Sequence, residues 1–401
     1  MERWSRVLRV PLLSNSETFL RVGASLCLSS EIGTLSVPIA NAIFFCGDRV
    51  ERTSNPVIEK LSDLQKLSEI IVSKFGPFIN AWVIEASVFN GPFAVYKDFI
   101  PSVNQYGEPR SYHPTGFPAS TSTVSLLSNC LQEVKKIISE RQVDTPSCCF
   151  HQPKTIILGF SKGGTVLNQI VTELGFADIG SNVNSVDEEI SIVPQTKEAL
   201  LNSISEIHYV DVGLNSTGAY LTNHDVFERI SKRLIQGARK LRFVLHGTPR
   251  QWTDEQRDWI RKEKDKMLLL LELEASKSKG KLEVLSRYYF ADKLPNMQMH
   301  FEIIESLDYV LTFMSRNNNS RRIWIQTEQK CFSILQSSNN KILKTLLGIN
   351  VFILQNNLNP LTKFISSSTS QGLPSSNMLS ISSTTRQPTS ATIQEITVQR
   401  T

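Results

Sequence analysis

The run Gly159-Phe160-Ser161-Lys162-Gly163-Gly164 sets a serine between glycines two residues away on either side. It directly follows the short apolar run Thr155–Leu158 and precedes the helical pattern Thr165–Leu174. A serine at such a strand-to-helix turn has the context of a nucleophile elbow, where the hydroxyl projects from the carboxyl edge of a sheet. Gly159, Gly163 and Gly164 suit that turn, because a Cβ would clash where a strand folds sharply back into a helix. The helix N-terminus beneath Ser161 supplies a positive dipole, and the N–H of Lys162 can donate to an oxyanion. The competing reading is a tight structural turn that carries an ordinary serine. Gly159–Gly164 lacks the spacing of a phosphate loop, so nucleotide binding is disfavoured.

A serine needs a base, and the base needs an orienting acid. In this fold class both follow the nucleophile, acid before histidine. Downstream stand His208, His224, His246 and His300. The first lies inside a strand pattern and the third at a strand end, where packed or capping roles are expected, while His224 comes too early in the chain. His300 follows the last strand and opens a helix, the position expected of the base. Two carboxylates compete for the acid: Asp254, after the penultimate strand, and Asp211, at the end of the strand before it. Asp254 is favoured by its place in the order, although Thr253-Asp254-Glu255 also reads as a helix N-cap. Gly47 and Asp48, directly after Phe44-Phe45-Cys46, stand where a second oxyanion donor would come from. No Cys/His grouping has metal-ligand spacing, so neither metal nor cofactor is expected.

The elements that would position these groups are legible as an alternation. Strand patterns at Ala42–Cys46, Ala81–Val88, Thr155–Leu158, Glu206–Val212, Leu241–His246 and Leu282–Phe290 alternate with helical ones at Pro56–Phe75, Thr121–Glu140, Thr165–Leu174, Asp225–Ala238, Asp254–Leu273 and His300–Val310. Continuous apolar strands between amphipathic helices predict a mostly parallel sheet covered on both faces, an α/β-hydrolase-like architecture. A proline-rich loop at 101–118 and a polar stretch, Asp178–Ile192, interrupt the series.

The formal charge of +5 does not point to nucleic acid, because it is unevenly spread. From Leu311 onward there are nine Lys/Arg against two Asp/Glu, which leaves the first 310 residues slightly acidic. The six cysteines (Cys27, Cys46, Cys130, Cys148, Cys149, Cys331) are scattered and read as buried thiols of a reducing compartment. No stretch is long and apolar enough to cross a bilayer, and no secretory h-region is seen. Residues 1–40 contain Arg3, Arg6, Arg9 and Arg21, which reads either as a weak mitochondrial targeting segment or as a first strand at Val7–Leu12. Residues 41–310 form the hydrolase-like domain, and 311–401 a Ser/Thr/Asn-rich tail expected to be largely disordered.

With these residues in place, the chain resembles a poorly characterised eukaryotic family of mitochondrial α/β-hydrolase-like proteins. The resemblance runs through Gly47-Asp48, Trp82-Val83-Ile84, Tyr96-Lys97-Asp98-Phe99, Gly159-Phe160-Ser161-Lys162-Gly163 with Val166-Leu167-Asn168-Gln169, Asp211-x-Gly213, His246-x-Thr248-Pro249 with Asp254 and Trp259-Ile260, and His300-Phe301. It implies a mitochondrial setting, with the cytoplasm as the alternative, and a serine-hydrolase-like site. Two readings follow: an acyl hydrolase acting on a small ester or thioester, or a non-catalytic relative serving as a scaffold or binding module. The composition change after Val310 generates one expected outcome. Limited proteolysis should remove the tail and leave a resistant core ending near Val310; insoluble protein on truncation there would show the tail to be part of the fold.

Overall fold

The computed structural model describes residues 2–13, 18–29, 33–50, 53–138, 152–178, 190–307. The expected tail, most of the polar stretch after Asp178, and Cys148, Cys149 and Cys331 lie outside the described residues.

The N-terminal segment is a hairpin. β1 (Arg3–Pro11) pairs antiparallel with β2 (Phe19–Cys27), so the expected Val7–Leu12 strand is the second half of a longer one. β2 in turn runs antiparallel to β4 (Ile79–Ile84). The remaining strands are β3 (Ala40–Phe45), β7 (Lys154–Phe160), β8 (Ile204–Val210), β9 (Leu241–Gly247) and β10 (Leu282–Tyr288), and with β4 they form one parallel array. The eight-stranded order is β1-β2-β4-β3-β7-β8-β9-β10. The strand expected over Ala81–Val88 ends at Ile84, and Val88 begins a small hairpin, β5 (Val88–Asn90) with β6 (Phe93–Val95).

Both faces of the sheet are covered, which is why β3 and β4 are apolar almost without alternation and buried throughout. On one face α1 (Pro56–Leu61), α2 (Leu64–Phe75) and α9 (Met297–Ser306) pack on Phe44, Val83, Leu158 and Val210. On the other, α3 (Pro118–Ile138), α4 (Gly164–Phe176), α5 (Lys197–Ser203), α6 (His224–Ile235) and α8 (Asp258–Lys277) pack on Phe45, Trp82, Ile157 and Tyr209. The single helix expected over Pro56–Phe75 is two helices, because Asp63 turns out of the helix and caps α2 through Lys66 N at 3.0 Å. The helix expected from Asp254 starts later: a short α7 (Pro249–Trp252) and a single 3-10 turn (Glu255–Arg257) precede α8.

Sequence order reverses between β3 and β7: the chain goes from β3 outward to β4 on one side and later to β7 on the other. Such a reversal opens a crevice beyond the carboxyl ends of the two strands, since their following loops diverge. Gly47-Asp48 leaves β3 and Ser161 leaves β7 at that crevice.

The helix that opens after the proline-rich loop is anchored by a buried acid on its neighbour. Glu173 of α4 is fully buried and accepts from Ala119 N and Ser120 N, both at 2.8 Å, and from Gln169 Nε2 at 2.9 Å. It thereby satisfies backbone donors that the first turn of α3 cannot pair internally. Burial raises the carboxyl pKa, and these hydrogen bonds oppose the rise. Glu173→Ala should therefore destabilise the fold by about 1–3 kcal/mol for each buried donor left unmet, measured by urea unfolding. A change within about 0.5 kcal/mol would show that the helix start is satisfied in another way.

Candidate active site

Ser161 stands at the end of β7 with φ of +50°, in the left-handed region that non-glycine residues seldom adopt. Ser161–Gly163 make one tight turn, and Gly164 opens α4. The turn is packed hard against the neighbouring strand: a Cβ on Gly163 would lie 2.0 Å from the Phe45 carbonyl oxygen. Gly47, at the end of the neighbouring strand, is equally constrained, since its Cβ would fall 2.2 Å from Phe160 O and 2.5 Å from Lys162 N. Gly159 lies beneath the turn against Gly163 and Leu167, and Gly164 against Val212.

His300 reaches this turn from the first part of α9, whose N-cap Asn296 accepts from Met299 N at 2.8 Å. Its ring is buried, 4.6 Å from the Phe160 ring centroid. Nδ1 lies 2.6 Å from Asp211 Oδ2, and Nε2 lies 3.1 Å from Asp48 Oδ2. Ser161 Oγ donates to that same Asp48 Oδ2 at 3.1 Å. The structure thus brings Ser161, His300, Asp211 and Asp48 together. Asp48 enters through its carboxylate, whereas the sequence offered only its backbone N–H.

Asp211 is itself held in a constrained geometry. Its φ is +44°, and its N–H donates to His246 O at 2.8 Å. Its carboxylate accepts from Thr248 N at 2.7 Å and from Thr248 Oγ1 at 3.0 and 2.9 Å. Thr248, fully buried straight after β9, holds the Asp211 carboxylate; the sequence analysis names it only within the family pattern His246-x-Thr248-Pro249 and gives it no role.

Asp254, the acid favoured from chain order, is not brought to His300. Its carboxylate accepts from Arg257 Nε at 2.9 Å and Gln256 N at 3.0 Å, with Arg250 Nη1 at 3.4 Å. It caps the 3-10 turn before α8, the alternative role its sequence context allowed. Burial acts to raise its pKa, but the Arg257 hydrogen bond, the Gln256 N–H and the two guanidinium charges hold it below the ordinary value. The cause is α7, which occupies the loop straight after β9 and carries the chain past the sheet edge before Asp254 is reached.

Lys162 also differs from a simple reading of the elbow. Its side chain is buried, with Nζ 3.3 Å from Glu108 Oε1 and 4.7 Å from the Phe93 ring centroid. Glu108, from the proline-rich loop, accepts in addition from Asn215 N at 2.9 Å and from Ser216 Oγ. Burial works against the charged form of Glu108, yet Ser216, Asn215 and Lys162 together lower its pKa. Nothing local in the sequence marks Glu108, because its partners are distant in the chain.

The other three downstream histidines lie elsewhere, His208 and His246 buried and His224 exposed. His208 Nδ1 and His246 Nε2 lie 3.0 Å apart within the sheet, and His224 Nε2 lies 3.3 Å from Glu274. Among the described residues no grouping of His, Cys, Asp and Glu could hold a metal ion, and no helix is long and apolar enough to cross a membrane.

The sheet order, the serine turn after its central strand and the histidine after its last strand define an α/β-hydrolase-like protein. The sequence is similar to the C2orf69 family, whose profile matches residues 126–275, a span that includes Ser161 and Asp211 but not Asp48 or His300. Mitochondrial protein C2orf69 homolog of Mus musculus is 25% identical over 282 residues, covering 60% of this chain and 69% of that protein. Mitochondrial protein C2orf69 of Homo sapiens is 24% identical over 285 residues, covering 60% of this chain and 66% of that one. The chain thus spans about two thirds of the length of these curated relatives. Both are named as mitochondrial proteins, in agreement with the setting expected from the sequence. Similar solved structures include an IroE-like serine hydrolase from Shewanella oneidensis, 10% identical with a TM-score of 0.35 over 76% of this chain and 78% of that one. Another is siderophore hydrolase EstA from Aspergillus nidulans, 14% identical with a TM-score of 0.37 over 75% of this chain and 92% of that one.

The charge state of His300 generates an expected pH dependence. Burial alone would lower its pKa, but hydrogen bonds and charges from Asp211 and then Asp48 outweigh that and raise it from 6.5 to about 9. A histidine raised in the fold stabilises fully below its unfolded pKa, and that contribution is lost as pH rises through the folded one. Stability should therefore fall between pH 6.5 and about 9, as read by urea unfolding across that window. His300→Gln should remove this part of the fall; an identical profile in the variant would show that His300 is not the titrating group.

Proposed function

We propose that the chain is a serine hydrolase of small esters or thioesters, with Ser161 as nucleophile, His300 as proton carrier and Asp211 as the acid that orients the imidazole. One observation carries the reading: Ser161 Oγ and His300 Nε2 both lie 3.1 Å from one carboxylate oxygen, while His300 Nδ1 lies 2.6 Å from Asp211. Nucleophile and base are therefore no farther apart than twice the first distance, within reach of direct contact after a side-chain adjustment.

In this mechanism Ser161 Oγ attacks the acyl carbon as its proton passes to His300 Nε2. The N–H groups of Lys162 and of Gly47 or Asp48 stabilise the oxyanion, and the α4 N-terminus adds its dipole. His300 then protonates the leaving alkoxide or thiolate. Water, deprotonated by the same ring, releases the acyl group from Ser161. Asp211 keeps Nδ1 protonated throughout and stabilises the imidazolium that forms. Lys162 contributes through its backbone, because its ammonium faces Glu108 and Phe93.

A second reading, a non-catalytic binding protein, is favoured by the Asp48 carboxylate standing between Ser161 and His300. Labelling of the full chain with a fluorophosphonate probe separates the two. The hydrolase reading expects covalent labelling that Ser161→Ala abolishes, together with Ser161-dependent turnover of short activated esters. Absence of both across ester and thioester substrates would leave the binding reading.

A further inference from the structure

We propose that the Asp48 carboxylate is a self-inhibiting occupant of the site, which must leave before Ser161 and His300 can react. This inference rests on the hydrolase reading above and adds regulation of the same site.

The geometry makes Asp48 a competitor for both reacting groups. Ser161 Oγ donates its hydrogen bond to Asp48 Oδ2, so its proton points away from the imidazole. His300 Nε2 lies 3.1 Å from the same oxygen, within the range for an N–H donating to oxygen. A nitrogen engaged in that way has no lone pair to offer the serine. One oxygen therefore satisfies nucleophile and base separately and disconnects them from each other.

The other carboxylate oxygen shows that the closed arrangement is poised to open. Asp48 Oδ1 is buried and has no hydrogen-bond donor among the described residues. A buried carboxylate oxygen without a donor carries an unrecovered desolvation cost, and removing the side chain from this position relieves it. The resting site thus combines two good contacts at Oδ2 with one poor environment at Oδ1.

The backbone around Asp48 confines the change to its side chain. Gly47 lies so close to the serine turn that a Cβ would meet Phe160 O at 2.2 Å. Gly47 O accepts from Ala94 N, and Arg49 N donates to Pro92 O, each at 2.8 Å, which ties the segment on both sides to the β5–β6 hairpin. Asp48 can leave by rotation about its own side-chain torsions, while its backbone N–H stays at the turn as an oxyanion donor. A substrate acyl group arriving at Ser161 would take the space that the carboxylate vacates.

The test is the rate of fluorophosphonate labelling of the full chain in wild type, Asp48→Ala and Asp48→Asn, each also carrying Ser161→Ala as a control. If the competent arrangement is a tenth or less of the resting population, Asp48→Ala should label about tenfold faster or more, with labelling still lost in the Ser161→Ala background. Asp48→Asn should also label faster, since it removes the charge that holds His300 Nε2 as a donor. Urea unfolding and circular dichroism establish that each variant is folded. Labelling of wild type at a rate equal to or above that of folded Asp48 variants would overturn the inhibitory role and leave the hydrolase reading standing. Absence of Ser161-dependent labelling in every folded variant would overturn both.

Discussion

An imidazole held between two carboxylates is the arrangement on which the rest of this site depends. His300 is buried, and a buried charge is costly unless opposite charges and hydrogen bonds surround it. Asp211 on Nδ1 and Asp48 on Nε2 supply both. The three side chains come from α9, from the end of β8 and from the loop after β3, so the interaction joins segments far apart in the chain. It also makes the site electrostatically asymmetric, with one more negative than positive group around Ser161. Any chemistry at the serine must work with that imbalance, and displacement of Asp48 is the simplest way to reduce it.

Strain and close approach are concentrated at the same edge of the sheet. Ser161 and Asp211 both adopt positive φ, and each is fixed by neighbours that over-determine it. The serine turn is wedged against β3 at Phe45 and Gly47, and Asp211 is gripped by three contacts from Thr248. Around them the Lys162–Glu108 pair ties the elbow to the proline-rich loop and, through Asn215 and Ser216, to the loop that follows Asp211. Glu263 of α8 secures the continuation of that loop at Gly218 N and Tyr220 N. Buried charges here serve to fix loops whose backbone would otherwise have no regular partner.

These loops separate two kinds of lysine and aspartate function. Lys162 adjoins Ser161 in sequence, but its ammonium is used to hold architecture, so that in the proposed mechanism only its N–H serves the reacting oxygen. Asp48 adjoins the proposed oxyanion position by its backbone, but its carboxylate lies between Ser161 and His300. Residues neighbouring Ser161 thus act through main chain and side chain in different directions.

The strand-to-helix turn at Ser161, the alternating parallel architecture and the position of His300 after the last strand were legible in the sequence because each rests on a local signal. Glycines flank Ser161, apolar runs mark strands buried on both faces, and His300 stands in the helix after the last strand, which starts at Met297, three residues before the expected start. The N-terminal strand was legible only in part, since arginines on a strand's exposed positions resemble a targeting composition. Chain order favoured Asp254 over Asp211, whereas the structure sets Asp211 against His300, because α7 fills the loop after β9 and leaves Asp254 to cap a 3-10 turn. Thr248, Glu108 and the carboxylate role of Asp48 depend on which loops meet at the reversal of strand order beside β3. Residue types and spacing therefore determined that a serine and a histidine would stand at one sheet edge. Only the tertiary structure decided which acid meets the histidine and what lies between it and the serine, because those contacts join residues more than 80 positions apart, where no local pattern records distance.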